Sequence, residues 1–66
     1  MSIARITEIK SSSTVSFEDA VQVGISRAAK TLDNIKGAWV AEQEVTVEGD
    51  KVVEYRVLMK VTFIVR

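Results

Sequence analysis

From Val53 to Val65 every second residue is apolar: Val53, Tyr55, Val57, Met59, Val61, Phe63 and Val65 share one parity. Glu54, Arg56, Lys60 and Thr62 alternate with them. A period of two places one apolar row on one face of a strand, and that face needs a core. The strand reads from Val52 to the C-terminus, about 14 residues or roughly 45 Å at about 3.3 Å each. Its one candidate cover is a helical stretch of about 20 residues, which is about 30 Å long. The overhang calls for another subunit. Composition points the same way. The chain has 66 residues and is 47% apolar, with no Cys and no His. A single domain of this size buries only roughly 60% of its unfolded surface and usually needs disulfides, a metal or oligomerisation. Thiolate and imidazole ligands are absent, so oligomerisation is the support that remains.

The helical stretch opens at Ser16, where Ser16 and Asp19 have capping-box spacing and Glu18 and Asp19 suit the positive end of the helix dipole. Phe17, Ala20, Val21, Gly24, Ala28, Leu32 and Ile35 recur at helical spacing, and Lys36-Gly37 is the expected stop. Gly24 and Ala28 in mid-stripe allow close approach to a sheet. Val23 falls on the polar side, as a lone exposed residue or a subunit contact. Before the helix, Ile3 to Lys10 reads as a strand and Ser11 to Thr14 as a loop. After Gly37 the period becomes two again, with Trp39, Ala41, Gln43, Val45 and Val47 on one side and Val40, Glu42, Glu44 and Thr46 on the other. Glu48 to Lys51 is a turn. The expected fold is α+β: one domain over residues 1–66, ordered β-α-β-β. A three-stranded antiparallel sheet carries one helix across one face, with the last strand central.

Several functions are disfavoured. Nine basic and nine acidic residues balance, whereas nucleic-acid binders of this size carry a basic surplus. No apolar run approaches the roughly 20 residues that span a bilayer, and the first residues lack the apolar core of a signal peptide. A cytoplasmic protein is expected. Without His or Cys, and without a phosphate loop or nucleophile elbow, no catalytic residues are assigned and no enzyme is expected. Ser11 to Thr14 beside a helix N-terminus suits an anion but reads more simply as loop and cap. Glu42, Glu44 and Glu54 offer hard-cation ligands but read more simply as a solvated strand face.

Trp39, the one Trp, is either a core aromatic or a stacking platform for a planar ligand. Strand pairing decides. If Glu48 to Lys51 form a four-residue loop, Val47 faces Val52, Gln43 faces Arg56, Ala41 faces Leu58 and Trp39 faces Lys60. Trp39 then lies on the face away from the helix, beside Arg56. A loop one residue shorter or longer turns Trp39 inward and gives its strand an apolar inner face. A β-bulge satisfies both demands.

The segments SFEDAVQVGISRAAKTLDNIKGAWVAEQ and EYRVLMKVTF, in the order strand, helix, strand, strand, resemble the dodecins across nearly the whole chain. The resemblance implies a hollow homododecamer of trimers in cubic symmetry, with flavins (riboflavin, FMN or FAD) paired at subunit interfaces. It implies storage and quenching of flavin, and in some members coenzyme A binding. The dodecin Trp that stacks on the isoalloxazine matches Trp39, and an acidic position near the ribityl chain matches Glu44. Gln43 joins these candidates as the expected neighbour of Arg56. Arg56 stands where flavin binders commonly carry Gln, and the turn before the last strand is about two residues shorter. Some dodecins with Arg there also lack the Trp and are calcium-bound; this chain keeps the Trp and sits between the two groups, so the alternative is a structural shell that binds a cation such as Ca²⁺, coenzyme A or no flavin.

Overall fold

A computed structural model describes residues 3–65. Strand β1 spans Ile3–Ser13, helix α1 Phe17–Ala28, strand β2 Ile35–Glu48 and strand β3 Lys51–Val65. The sheet is antiparallel throughout, in the order β1-β3-β2. The longest and most regular strand is thus central, as its alternation predicts. The β-α-β-β fold class holds, while three element boundaries move.

First, the expected loop at Ser11 to Thr14 is mostly strand: Ser11, Ser12 and Ser13 pair with Val57, Arg56 and Tyr55. The Ser11 and Ser13 hydroxyls are occupied on the helix side. Ser11 Oγ donates to the Ala20 carbonyl at 2.8 Å, and Ser13 Oγ donates to Asp19 Oδ2 at 2.6 Å. A carboxylate already fills the place an anion would take. Second, the helix stops at Ala28 rather than near Ile35. Lys30 and Thr31 bond back three residues, to Arg27 and Ala28 carbonyls, each at 3.1 Å, which tightens the last turn. Asn34 then takes a left-handed conformation, φ 59°, which Asn tolerates better than most residues. Ile35 stayed in phase with the helical stripe because it packs on the same core from the first position of β2. Third, Glu48 and Lys51 pair with each other. The hairpin loop is therefore the two residues Gly49-Asp50, with Gly49 at φ +62°, as a type II′ turn requires at its first central position.

The core is small. Ala20, Val57, Met59 and Val61 are buried, with Ile9, Phe17, Val21, Ile25 and Ile35 packed around them. Phe17 meets Tyr55 edge-to-face, 5.2 Å between centroids. Ser16 caps the helix by accepting from the Asp19 N–H at 3.0 Å. The Asp19 carboxylate does not close the expected capping box; it receives Ser13 instead. Val23 is half-buried.

The helix packs on β1 and β3. It has 12 residues against 15 in β3, about 18 Å against roughly 50 Å, so the coverage deficit exceeds the expected one. The chain is 52 × 19 × 14 Å. Nearly all of β2 is exposed, and beyond the helix Val45, Val47 and Val52 are 38%, 53% and 47% exposed. Among the described residues no helix is long and apolar enough to cross a membrane.

Gly24 sets how closely the helix approaches. A Cβ there would lie 2.6 Å from Met59 Cε and 2.9 Å from Ser11 Cβ. The methionine tip can swing away, but Ser11 Cβ is fixed to a paired strand. Gly24→Ala should therefore destabilise by about 1–3 kcal/mol through overpacking, outweighing a helix-propensity gain of at most about 1 kcal/mol. Urea denaturation checks this: an unchanged or higher midpoint means that the helix lifts freely.

Candidate ligand site

The face of the sheet opposite the helix follows from the pairing. Even-numbered residues of β1, and of β3 from Glu54 onward, lie on it, because Val57, Met59 and Val61 are buried under the helix. Its rows across β1, β3 and β2 are Ser12, Arg56 and Glu44; then Lys10, Leu58 and Glu42; then Glu8, Lys60 and Trp39. Between the last two rows β2 carries a bulge, with Ala41 as the extra residue between Val40 and Glu42. A second bulge inserts Val53 in β3, opposite the step from Thr46 to Val47.

These bulges settle the register. Val47 faces Val52 and Trp39 faces Lys60, as the four-residue-loop reading expects. Between the bulges the pairing shifts by one. Gln43 faces Val57, Glu42 faces Leu58 and Glu44 faces Arg56. Trp39, Glu44 and Arg56 therefore share the open face, while Gln43 turns to the helix side and is not opposite Arg56. The alternation expected for β2 breaks at Ala41 because no straight strand could point Trp39 outward and Val40, Val45 and Val47 inward.

Trp39 is 56% exposed. Lys60 Nζ lies over its ring, 5.0 Å from the centroid, within cation–π range. Lys60 belongs to no motif, although the Trp39–Lys60 pairing was readable from the hairpin. Along β3, Arg56 is four residues from Lys60, roughly 13 Å away. A trough of about 590 Å³ lies between the strands there, with Lys10, Ser12, Glu42, Glu44, Arg56 and Leu58 along it. Arg56 Nε donates to Glu54 Oε1 at 2.7 Å, and Thr46 Oγ1 donates to the same oxygen at 3.3 Å. The Arg56 hydrogen bond is the main force holding the Glu54 carboxyl below its ordinary value of 4.5, with burial opposing it. The same bond raises Arg56, and Glu44 adds to the effect. Among the described residues no three Asp or Glu side chains gather as a metal-ion cluster. Glu42, Glu44 and Glu54 share a face, but Arg56 and Thr46 already hold Glu54.

These features define a small β-α-β-β subunit with one aromatic platform, whose sheet is left for neighbours to complete. The chain belongs to the dodecin family: the family's model, Dodecin, matches residues 3–66. It is 32% identical over 66 residues to the calcium dodecin of Mycobacterium tuberculosis, covering 100% of this chain and 93% of that protein. The crystal structure of that calcium dodecin, which has a calcium-binding site, superposes with a TM-score of 0.83 at 31% identity, over 97% of this chain and 91% of that one. The dodecin of Streptomyces davaonensis gives a TM-score of 0.93 at 29% identity, over 98% and 96% of the two chains. A variant of the Thermus thermophilus dodecin gives 0.94 at 29%, over 100% and 98%.

The Arg56–Glu54 pair makes a prediction whose sign is fixed. The folded-state pKa of Glu54 is depressed, so the contribution of the pair is present above the ordinary carboxylate value. It is lost as pH falls through the lower folded value. An NMR titration of the Glu54 carboxyl should give a midpoint below 4.5, rising toward that value in Arg56→Gln. An identical midpoint in both proteins refutes the assignment.

Proposed function

We propose that this chain is a cytoplasmic flavin store that assembles as a hollow dodecamer and holds riboflavin, FMN or FAD between subunits. One observation carries the reading: the indole of Trp39 stands half open on a strand whose faces are left almost wholly exposed among the described residues. A flat apolar ring in that position loses little entropy on stacking, and burying two such faces drives association. Arg56 would donate to ring carbonyl oxygens, since its guanidinium keeps N–H groups beyond the one given to Glu54. Glu44, opposite Arg56, lies where a hydroxylated side chain would run. Gln43 has a weaker claim from the helix-side face. Flavin would bring the light-absorbing, redox-active ring; the protein would bind it, shield it and quench it. With no His and no Cys in the chain, turnover is not part of the proposal.

The second reading is a shell that holds calcium, or coenzyme A, instead of flavin. The relationship to a calcium dodecin favours it, and the absence of a three-carboxylate cluster among the described residues weighs against a site within one subunit. Trp39 supports the flavin reading because a cation shell has no use for an exposed indole.

Two experiments test the proposal. Light scattering coupled to size exclusion should report twelve times the chain mass; a monomer or dimer at micromolar concentration refutes the shell. Titration of flavin should darken its emission, because a stacked indole is an electron donor at contact distance. Trp39→Ala should abolish the darkening and lower affinity at least tenfold with the oligomer intact. Arg56→Gln should quench as well and bind at least as tightly, because an amide both donates and accepts. Unchanged emission in the wild type, with calcium binding seen by calorimetry, would replace flavin by the cation.

A further inference from the structure

Trp39 is not bare in the free subunit. Lys60 of β3 faces it directly, and the lysine ammonium lies over the indole, 5.0 Å from the ring centroid. The lysine thus covers part of the flat surface that a planar ligand would use. A ring that stacks on Trp39 and is also reached by Arg56 lies over β3, the strand that carries both Lys60 and Arg56. It comes from the side on which the ammonium sits, so ligand and lysine compete for the indole.

The sheet supplies a second seat for the ammonium. In the same row, on the other side of Lys60, stands Glu8 of β1. Opposite charges that face each other across two strands attract, with Cβ atoms about 4.5–5.5 Å apart. Glu8 is exposed. Among the described residues the one ion pair is Arg56 with Glu54, so the Glu8 carboxylate is open to the lysine. Two more charges stand in the next row, Lys10 and Glu42 on either side of Leu58. Glu42 is the poorer seat: it belongs to the strand of Trp39 and would keep the ammonium beside the stacked ring. Glu8 lies on the far strand and draws it clear.

We propose that Lys60 is a two-position cover for the ligand site: it lies over the indole of Trp39 in the empty subunit and swings to Glu8 when a planar ring stacks. Lys60 and Glu8 are positioning residues, and Glu8 acts only through the lysine. The inference rests on the flavin reading and adds to it how the ring is admitted. The swing breaks one exposed cation–π contact and makes one exposed ion pair. With both seats free the ammonium takes the indole, so the contact broken outweighs the pair made and the cover lowers affinity modestly.

The test is a titration of the assembled protein with riboflavin, an uncharged probe, followed by its emission. Breaking an exposed cation–π contact weakens binding about two- to fivefold, and the ion pair to Glu8 restores part of that. Lys60→Gln should therefore bind riboflavin more tightly than the wild type and Glu8→Gln more weakly, with about two- to fivefold between the two variants. The double variant should match Lys60→Gln, because Glu8 has no effect without the lysine. NMR of the lysine side chains gives a second readout. Without ligand the Lys60 Cε protons should be shifted upfield by the indole ring current, and both Trp39→Ala and added riboflavin should remove the shift. Equal affinities in all four proteins, or additive effects of the two substitutions, overturn the cover and leave the flavin reading standing. So does an upfield shift that bound riboflavin leaves in place. If no variant darkens riboflavin, the flavin reading falls and the swing falls with it, and any upfield shift then marks a fixed contact.

Discussion

A 12-residue helix lies on a sheet whose central strand has 15 residues, and the rest of the molecule follows from that mismatch. The helix seats closely because Gly24 admits Met59 and Ser11. Close seating makes a dense but short core of Ala20, Val57, Met59 and Val61. Everything beyond the helix ends stays apolar and open, from Val45, Val47 and Val52 at the hairpin to Ile3 and Val65 at the other end. A chain this small cannot cover these valines itself without a second helix. The cheaper solution is to repeat the subunit, so that each copy supplies what its neighbour lacks. Edge exposure argues likewise: β1 and β2 are both edges of a three-stranded sheet, and long apolar edges left bare invite uncontrolled pairing.

The bulge at Ala41 is the second determining feature. Alternation alone would force Trp39 and Val45 to one face. One extra residue lets Trp39 stand with Lys60 on the open side while Val40 and Val45 stay on the helix side. The bulge at Val53 repeats the device near the hairpin and keeps Val47 and Val52 facing inward. Bulges re-aim side chains at a small cost in ladder hydrogen bonds. Here they separate two rows along one strand: an apolar inner row for packing and an outer row that carries Trp39.

How much of this was legible in the sequence depends on whether a feature was local. The β3 alternation, the Ser16 cap and the central place of β3 all follow from residues near one another in the chain, and all appear in the structure. The helix end was misjudged because Leu32 and Ile35 kept the helical period while serving a turn and a strand. The signal that decided it was Asn34, whose left-handed conformation ends the turn. Ser11 to Ser13 looked like a loop because serine is common in loops, yet β3 offered three more partners and the helix offered Ala20 and Asp19 to the Ser11 and Ser13 hydroxyls. The register at Gln43 depended on bulges that no composition reveals. It was readable at Val47 and at Trp39, and not between them.

Arg56 shows why a single position is a poor guide to a ligand. In isolation it replaces an amide that both donates and accepts by a group that only donates, which argues against a flavin edge. In the folded chain it is one of a set. Glu54 takes its Nε, Thr46 donates to the same carboxylate, and Glu44 stands opposite across the strands. A guanidinium held this way is oriented as well as charged, and its remaining N–H groups have a defined direction. An oriented donor on the same face as an open indole suits a planar ring with carbonyl oxygens at its edge. It suits a calcium ion poorly, because the same charge that favours a carbonyl repels a cation, and Glu54, which could have served as a ligand, is already neutralised by it. The electrostatics of Arg56 and the exposure of Trp39 therefore point the same way, although the two residues are roughly 13 Å apart along the sheet.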